Sequence, residues 1–135
     1  MAVDIMLDVQ KEVYDLLIAD AGVDALVNNR IYDNIPEQET FPYIVIGRND
    51  TFDDHGSHTT NGFSGDLQID VWDNGRGAKT TKQVMAAIYT VLHKTELTIT
   101  GHSTINLRRA STSTLIEDDG VTYHGISRYT FIIAN

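Results

Sequence analysis

Four side chains close together in the sequence, Asp53, Asp54, His55 and His58, are of types that ligate metals. Two His three residues apart, with a carboxylate beside them, are the raw material of a divalent-metal site that activates water for hydrolysis. Against this, Gly56 and Ser57 make the segment pliable rather than pre-shaped. A tight site also needs hydrogen-bond partners that hold its ligands, so a solvated polar loop is the stronger reading. Ser103, His124 and an Asp would supply the types of a hydrolytic triad, but no Gly-x-Ser-x-Gly turn supports one. Gly75-Arg76-Gly77 ahead of Lys79, Thr80 and Thr81 hints at a phosphate cradled on a helix N-terminus. The Walker spacing is not met, and Gly-x-Gly-x-x-Gly fails at Thr80. A plain turn and helix start fits better.

The remaining histidines stand apart. His93 falls near a predicted helix C-terminus, where a positive charge would suit the dipole. His124 lies on a predicted strand beside Gly125 and reads as packed or hydrogen-bonded rather than catalytic. The residues therefore predict no catalytic group, no metal and no cofactor.

The elements that must position these residues follow from periodicity. Met6, Val9, Val13, Leu16 and Leu17 recur at helical spacing and predict a helix from about Asp4 to Ala19. Asp20 can cap a short second helix over Val23 to Val27, ended by Asn28 and Asn29. Ile31 to Ile35 reads as a short extended segment. Tyr43 to Arg48, with its run Ile44-Val45-Ile46, reads as a strand covered on both faces. Thr51 to Gly65 lacks periodicity and is expected to be a long loop. Asp66 to Trp72 alternates, with Leu67, Ile69 and Val71 on one face and Gln68, Asp70 and Trp72 on the other.

Gly77 to Lys94 is a second long helix striped by Val84, Ala87, Ile88, Val91 and Leu92, and Leu97 to Ile99 a short strand. Ser103 to Leu115 and Val121 to Ile133 form a hairpin around Glu117-Asp118-Asp119-Gly120. The order predicts an α+β fold, a mainly antiparallel sheet with two amphipathic helices on one face, in a single domain spanning residues 1–135. The second sheet face would then be exposed. Trp72, with Tyr123 or Tyr129, is expected there or at an edge; Trp72 and Tyr123 are candidates for a subunit interface, and packing against loops of the same chain is the alternative. Arg108 and Arg109 alternate across their strand and point to opposite faces; a solvated surface position is the default for each, and both are candidates to meet an acidic surface on a neighbouring subunit.

Composition narrows the function classes. The chain has 135 residues and no cysteine, which excludes disulfides, thiolate metal sites and cysteine nucleophiles. Net charge is −9 with only ten Lys and Arg. A specific nucleic-acid binder carries a basic patch that neutralises phosphates, so that class is disfavoured. No stretch approaches the ~20 apolar residues of a membrane span, and Met1 to Leu7 lacks the basic start of a signal peptide. A soluble, intracellular protein without membrane contact is expected.

Several pieces in this order resemble the tail-completion, or tail-terminator, family of tailed bacteriophages. They are Val13-Tyr14-Asp15-Leu16-Leu17, Arg30 to Pro36, Phe41-Pro42-Tyr43-Ile44-Val45-Ile46-Gly47 and Leu67 to Trp72. Val91-Leu92-His93 with Leu97, and Asp119 to Gly125 followed by Arg128-Tyr129, complete the set. The resemblance covers nearly the whole chain. It implies a virion protein at the head–tail junction, assembled in the host cytoplasm as a homo-hexameric ring. Such a ring ends the tail tube and meets tail tube protein on one side and a head connector or neck protein on the other. Genomic DNA would pass through without specific binding. Asp53, Asp54, His55, His58, Asp118 and Asp119 are candidates for lumen or docking loops, because they sit on predicted loops. A head-completion or stopper protein of the neck is the near alternative. A small metal-dependent hydrolase using the His55 and His58 loop is the alternative from a different class.

Overall fold

In the computed structural model, residues 5–35, 37, 40–48, 50–54, 63–75, 77–99 and 105–133 are described. Helix α1 spans Met6–Ala19 and buries Val9, Val13 and Leu17, a four-residue repeat that keeps one face inward. Helix α2, Ala21–Val27, follows at once because the Asp20 carboxylate accepts from the Val23 N–H at 3.0 Å. Asn28 and Asn29 then turn the chain in the left-handed region (φ 50° and 64°), where Asn is tolerated better than most residues. This entry and exit match the sequence reading.

Strands β1 (Ile31–Tyr32), β2 (Tyr43–Ile46), β3 (Thr51–Asp54) and β4 (Phe63–Asp73) come next. Helix α3 (Lys79–Leu92) leads to β5 (Glu96–Leu97), β6 (Ile105–Asn106), β7 (Arg108–Ile116) and β8 (Tyr123–Ile133). The main sheet runs β1-β2-β4-β8-β7, with β3 added to the same edge of β4 as β2; β5 and β6 form a separate pair. The sheet is mixed rather than wholly antiparallel, because β1 runs parallel to β2.

All three helices pack on one face. Val9, Val13, Leu17, Val23, Val27, Val84, Met85, Ile88 and Leu92 meet Ile44, Ile46, Leu67, Ile69, Val71, Tyr129 and Phe131 in one apolar cluster. Gly125 sets the distance of α3 from the sheet. A Cβ there would run into Met85 Sδ and lie 2.9 Å from Thr81 Cγ2.

Three expectations are corrected. Thr51 to Asp54, expected in a loop, is a strand paired with Phe63 to Asp66. Tyr129 is fully buried among the helices, not on the outer face. Trp72 does lie opposite the helices but is only 6% exposed. The outer face therefore has packing of its own: Trp72 clusters with Tyr43 and Val45, and Tyr32 and Phe41 lean on them.

Candidate functional site

The outer face carries the densest polar arrangement among the described residues. Asp70 sits mid-strand on β4, flanked by Val45 of β2 and Ile126 of β8, and is fully buried. A buried carboxylate is tolerable only when paired and hydrogen-bonded. His124 Nε2 lies 2.6 Å from Asp70 Oδ1, and Gln68 Nε2 donates to both carboxylate oxygens at 2.9 and 3.0 Å. Arg128 Nη2 donates to Gln68 Oε1 at 2.7 Å, which fixes the amide orientation. On its other side, His124 Nδ1 lies 2.9 Å from Glu117 Oε1, at the end of β7. Trp72 stacks on the imidazole at 4.1 Å and 13°, Tyr43 stacks on Trp72 at 5.5 Å, and the Arg48 guanidinium lies over the indole.

This arrangement contains the types of a hydrolytic site but not its geometry. Both imidazole nitrogens are taken by carboxylates, and each bond is made only when that nitrogen carries a proton. A general base needs one nitrogen directed at a nucleophile. The two carboxylates approach opposite nitrogens and so do not converge on a point where a metal could sit. Among the described residues no group of three or more His, Asp and Glu side chains is placed to hold a metal. The network is a clamp: it ties the turn end of β7 through β8 to the middle of β4. His124 is thus packed and hydrogen-bonded, as its sequence context indicated.

Two further groups flank the clamp. Asp50 Oδ1 accepts from the Gln68 N–H at 3.0 Å. Its pKa is raised, chiefly by desolvation, against the opposing pull of that N–H and of Arg128. Asp119 accepts from the N–H groups of Val121 and Thr122 and from the Thr122 hydroxyl, at 2.8, 2.8 and 2.6 Å. These bonds hold its pKa low and shape the β7–β8 turn.

The structure spreads the sequence candidates over both ends of the sheet. Trp72 and Tyr123 lie at the turn end of β8, where Asp73 pairs Tyr123 and Trp72 pairs His124. Asp118 and Asp119 are exposed in the adjoining turn. Arg108 pairs Thr130, toward the other end, and Asp53 pairs Ser64 there. Arg108 is exposed, whereas Arg109 lies over the Tyr89 ring at 4.1 Å, so the two do point to opposite faces. The backbone of Asp54 continues β3, but its side chain, and all of His55, His58, His102 and Ser103, lie outside the described residues. His93 is the C-cap of α3, but its surroundings work against the positive charge expected there. Its Nδ1 accepts from the Arg109 N–H at 3.1 Å, and desolvation, with Lys94, Arg108 and Arg109, lowers its pKa.

With this geometry in hand, a family described as Tail completion protein gp17 matches residues 11–134. The chain belongs to this family. It is a tail completion protein, a structural component of a virion tail and not an enzyme. A solved chain of the virion of a native gene transfer agent particle superposes with a TM-score of 0.84. It is 23% identical, and the match covers 93% of this chain and 94% of that one. That likeness concerns the fold. Comparison of the sequence with curated proteins finds no match. A structural role agrees with the clamp, in which carboxylates of the same chain hold both nitrogens of the imidazole.

Sequence reasoning missed Asp70, Gln68, Glu117 and Arg128 as parts of one network. The available signal was Asp70 and His124, a carboxylate and an imidazole on strands that each pattern as half-buried. Pairing β4 with β8 in this register is what joins them.

Proposed function

We propose that this tail completion protein assembles into a closed ring, a homo-hexamer, that ends the tail tube and joins it to the head connector while DNA passes through the centre. The observation that carries the reading is the family match over residues 11–134. The fold adds material suited to the role: one face sealed by helices, and a second whose polar groups satisfy each other and leave a rigid plate. Closed rings use head-to-tail contacts, in which one patch meets a different patch on the neighbour. Six copies would carry −54, six times −9, a field that repels DNA phosphates and keeps the passage slippery. Asp118 and Asp119 on one side and Asp53 on the other are exposed at opposite ends of the strands. They would place acidic groups at both mouths of such a ring.

The test uses tail tubes assembled from tube protein alone. Adding the purified chain is expected to stop tube growth and leave a ring of six-fold symmetry on tube ends by electron microscopy. Tubes that grow unchanged in its presence, with the chain bound instead to portal or connector, would move it to the neck.

A further inference from the structure

The two edges of the main sheet differ in chemistry and share a level. One edge is β1 under α1. Between them runs a groove of about 570 Å³, lined among others by Leu7, Tyr14, Ile35, Asp33, Asn34 and Glu37. Leu7 is 75% exposed, Tyr14 38% and Ile35 39%, so three large apolar side chains on one groove face solvent. Clustered exposure of this kind marks an interaction surface, whereas scattered exposure does not. The other edge is β7 under α3. Its groove, of about 270 Å³, is lined by Lys82, Met85, Ala86, Arg109, Thr112, Ser113 and Thr114.

The charges of the grooves are opposite. Asp33 and Glu37 line the first, Lys82 and Arg109 the second. Lys11, also on the first, already pairs with Asp15 at 3.1 Å. The register puts them in line. Tyr32 pairs Val45, Val45 pairs Asp70, Asp70 pairs Ile126 and Ile126 pairs Ser113. One row of residues thus crosses the sheet from the first groove to the second, and both grooves open on the helix side. Strand β7 is also open to pairing. It is the last strand in the order. Among the described residues, the backbone of Ser111 to Ile116 makes no hydrogen bond beyond its ladder with β8. A strand edge left in this state is a template for another chain. The bulge between Arg109 and Ser111, and the His93 ring on the Arg109 N–H, close off its first residues only.

We infer that the α3–β7 edge of one copy docks on the α1–β1 edge of the next, with Lys82 and Arg109 facing Asp33 and Glu37. The occupant is a second copy because each edge supplies the charge the other lacks. In a chain of net charge −9, that is what lets like molecules meet. A contact between two different edges on one face repeats head to tail and closes when the rotation per step allows. This assignment rests on the ring reading above and names the surfaces it uses.

The absence of cysteine makes a clean test possible. Asn34→Cys and Thr112→Cys, one in each groove, are introduced together and singly into the full chain. The mass of each is followed across concentration and with tail tubes, before and after diamide oxidation. The double variant is expected to give a ladder of covalent multiples ending at the ring, with single variants staying monomeric on denaturing gels. Lys82→Glu should weaken assembly at least tenfold in concentration, and adding Asp33→Lys to the same chain should restore it. Assembly without the Asn34–Thr112 cross-link, or a covalent dimer from Thr112→Cys alone, overturns the edge assignment while the ring reading stands. No assembly under any condition overturns both.

Discussion

Asp70 and His124, fifty-four residues apart in sequence, meet at 2.6 Å beneath the Trp72 ring and join the two longest strands across the face that no helix covers. Asp70 has no exposed side-chain surface and His124 only 10%. Asp70→Ala would leave Gln68 Nε2 and His124 Nε2 buried without the acceptor they share, while Glu117 still holds the other side of the imidazole. An unsatisfied buried polar group costs about 1–3 kcal/mol, and the variant is expected to lose about that much unfolding free energy in urea titrations. A loss under ~1 kcal/mol would mean the pair contributes no more than an exposed one.

Close approach of α3 to β8 depends on a missing side chain. Gly125→Ala pushes a methyl into Met85 Sδ and Thr81 Cγ2. Overpacking of this kind costs about 1–3 kcal/mol. The same substitution in a Met85→Ala background should cost less, since the nearest obstacle is gone. Equal losses in both backgrounds, read from denaturant midpoints, would show that the crowding is not with Met85.

Among the described residues the buried Tyr129 hydroxyl has no hydrogen-bond partner, and desolvation pushes its pKa up. An unsatisfied buried donor costs about 1–3 kcal/mol. Tyr129→Phe keeps the ring and removes that cost, so thermal stability should rise by the equivalent of about 1 kcal/mol. A clear drop would reveal a partner for the hydroxyl.

Asp50 gives a pH dependence with a definite sign. Its folded pKa is raised above 3.8. Through the interval between the two values the folded state binds the extra proton, so stability falls as pH rises. Below 3.8 the residue contributes nothing, because both states are protonated. Asp50→Asn keeps an oxygen for the Gln68 N–H and lacks the titration. The variant should gain on the parent as pH climbs through mild acid and hold a constant advantage above it. Parallel stability curves across that range would show that Asp50 does not titrate differently on folding.

Much of the scaffold was legible from local rules. The α1 stripe, the Asp20 cap, the Asn28-Asn29 exit and the positive φ of Gly120 (70°) each follow from a few neighbouring residues. What escaped depends on partners distant in sequence. Thr51-Phe52-Asp53-Asp54 has no alternating pattern of its own and becomes a strand by pairing with Phe63 to Asp66. The parallel run of Ile31-Tyr32 beside Ile44-Val45 is too short to announce a direction. The face bearing Gln68, Asp70 and Trp72 was read correctly as opposite Leu67, Ile69 and Val71. Its burial was not, because mutual satisfaction of polar side chains leaves no mark in a hydrophobic pattern.

One edge of β4 is shared by two strands: β2 covers Ile69 to Trp72 and β3 covers Phe63 to Asp66. Between them the ladder is bridged at Gln68, whose carbonyl takes the Gly47 N–H and whose N–H is held by the Asp50 side chain. A carboxylate there stands in for a strand. On its other edge β4 pairs β8 without a break from Phe63 to Asp73, so the gap beside Gln68 is a notch and not a hinge. A load applied at the β3 end passes along β8 to the Asp70 clamp and on to the turn end of the sheet.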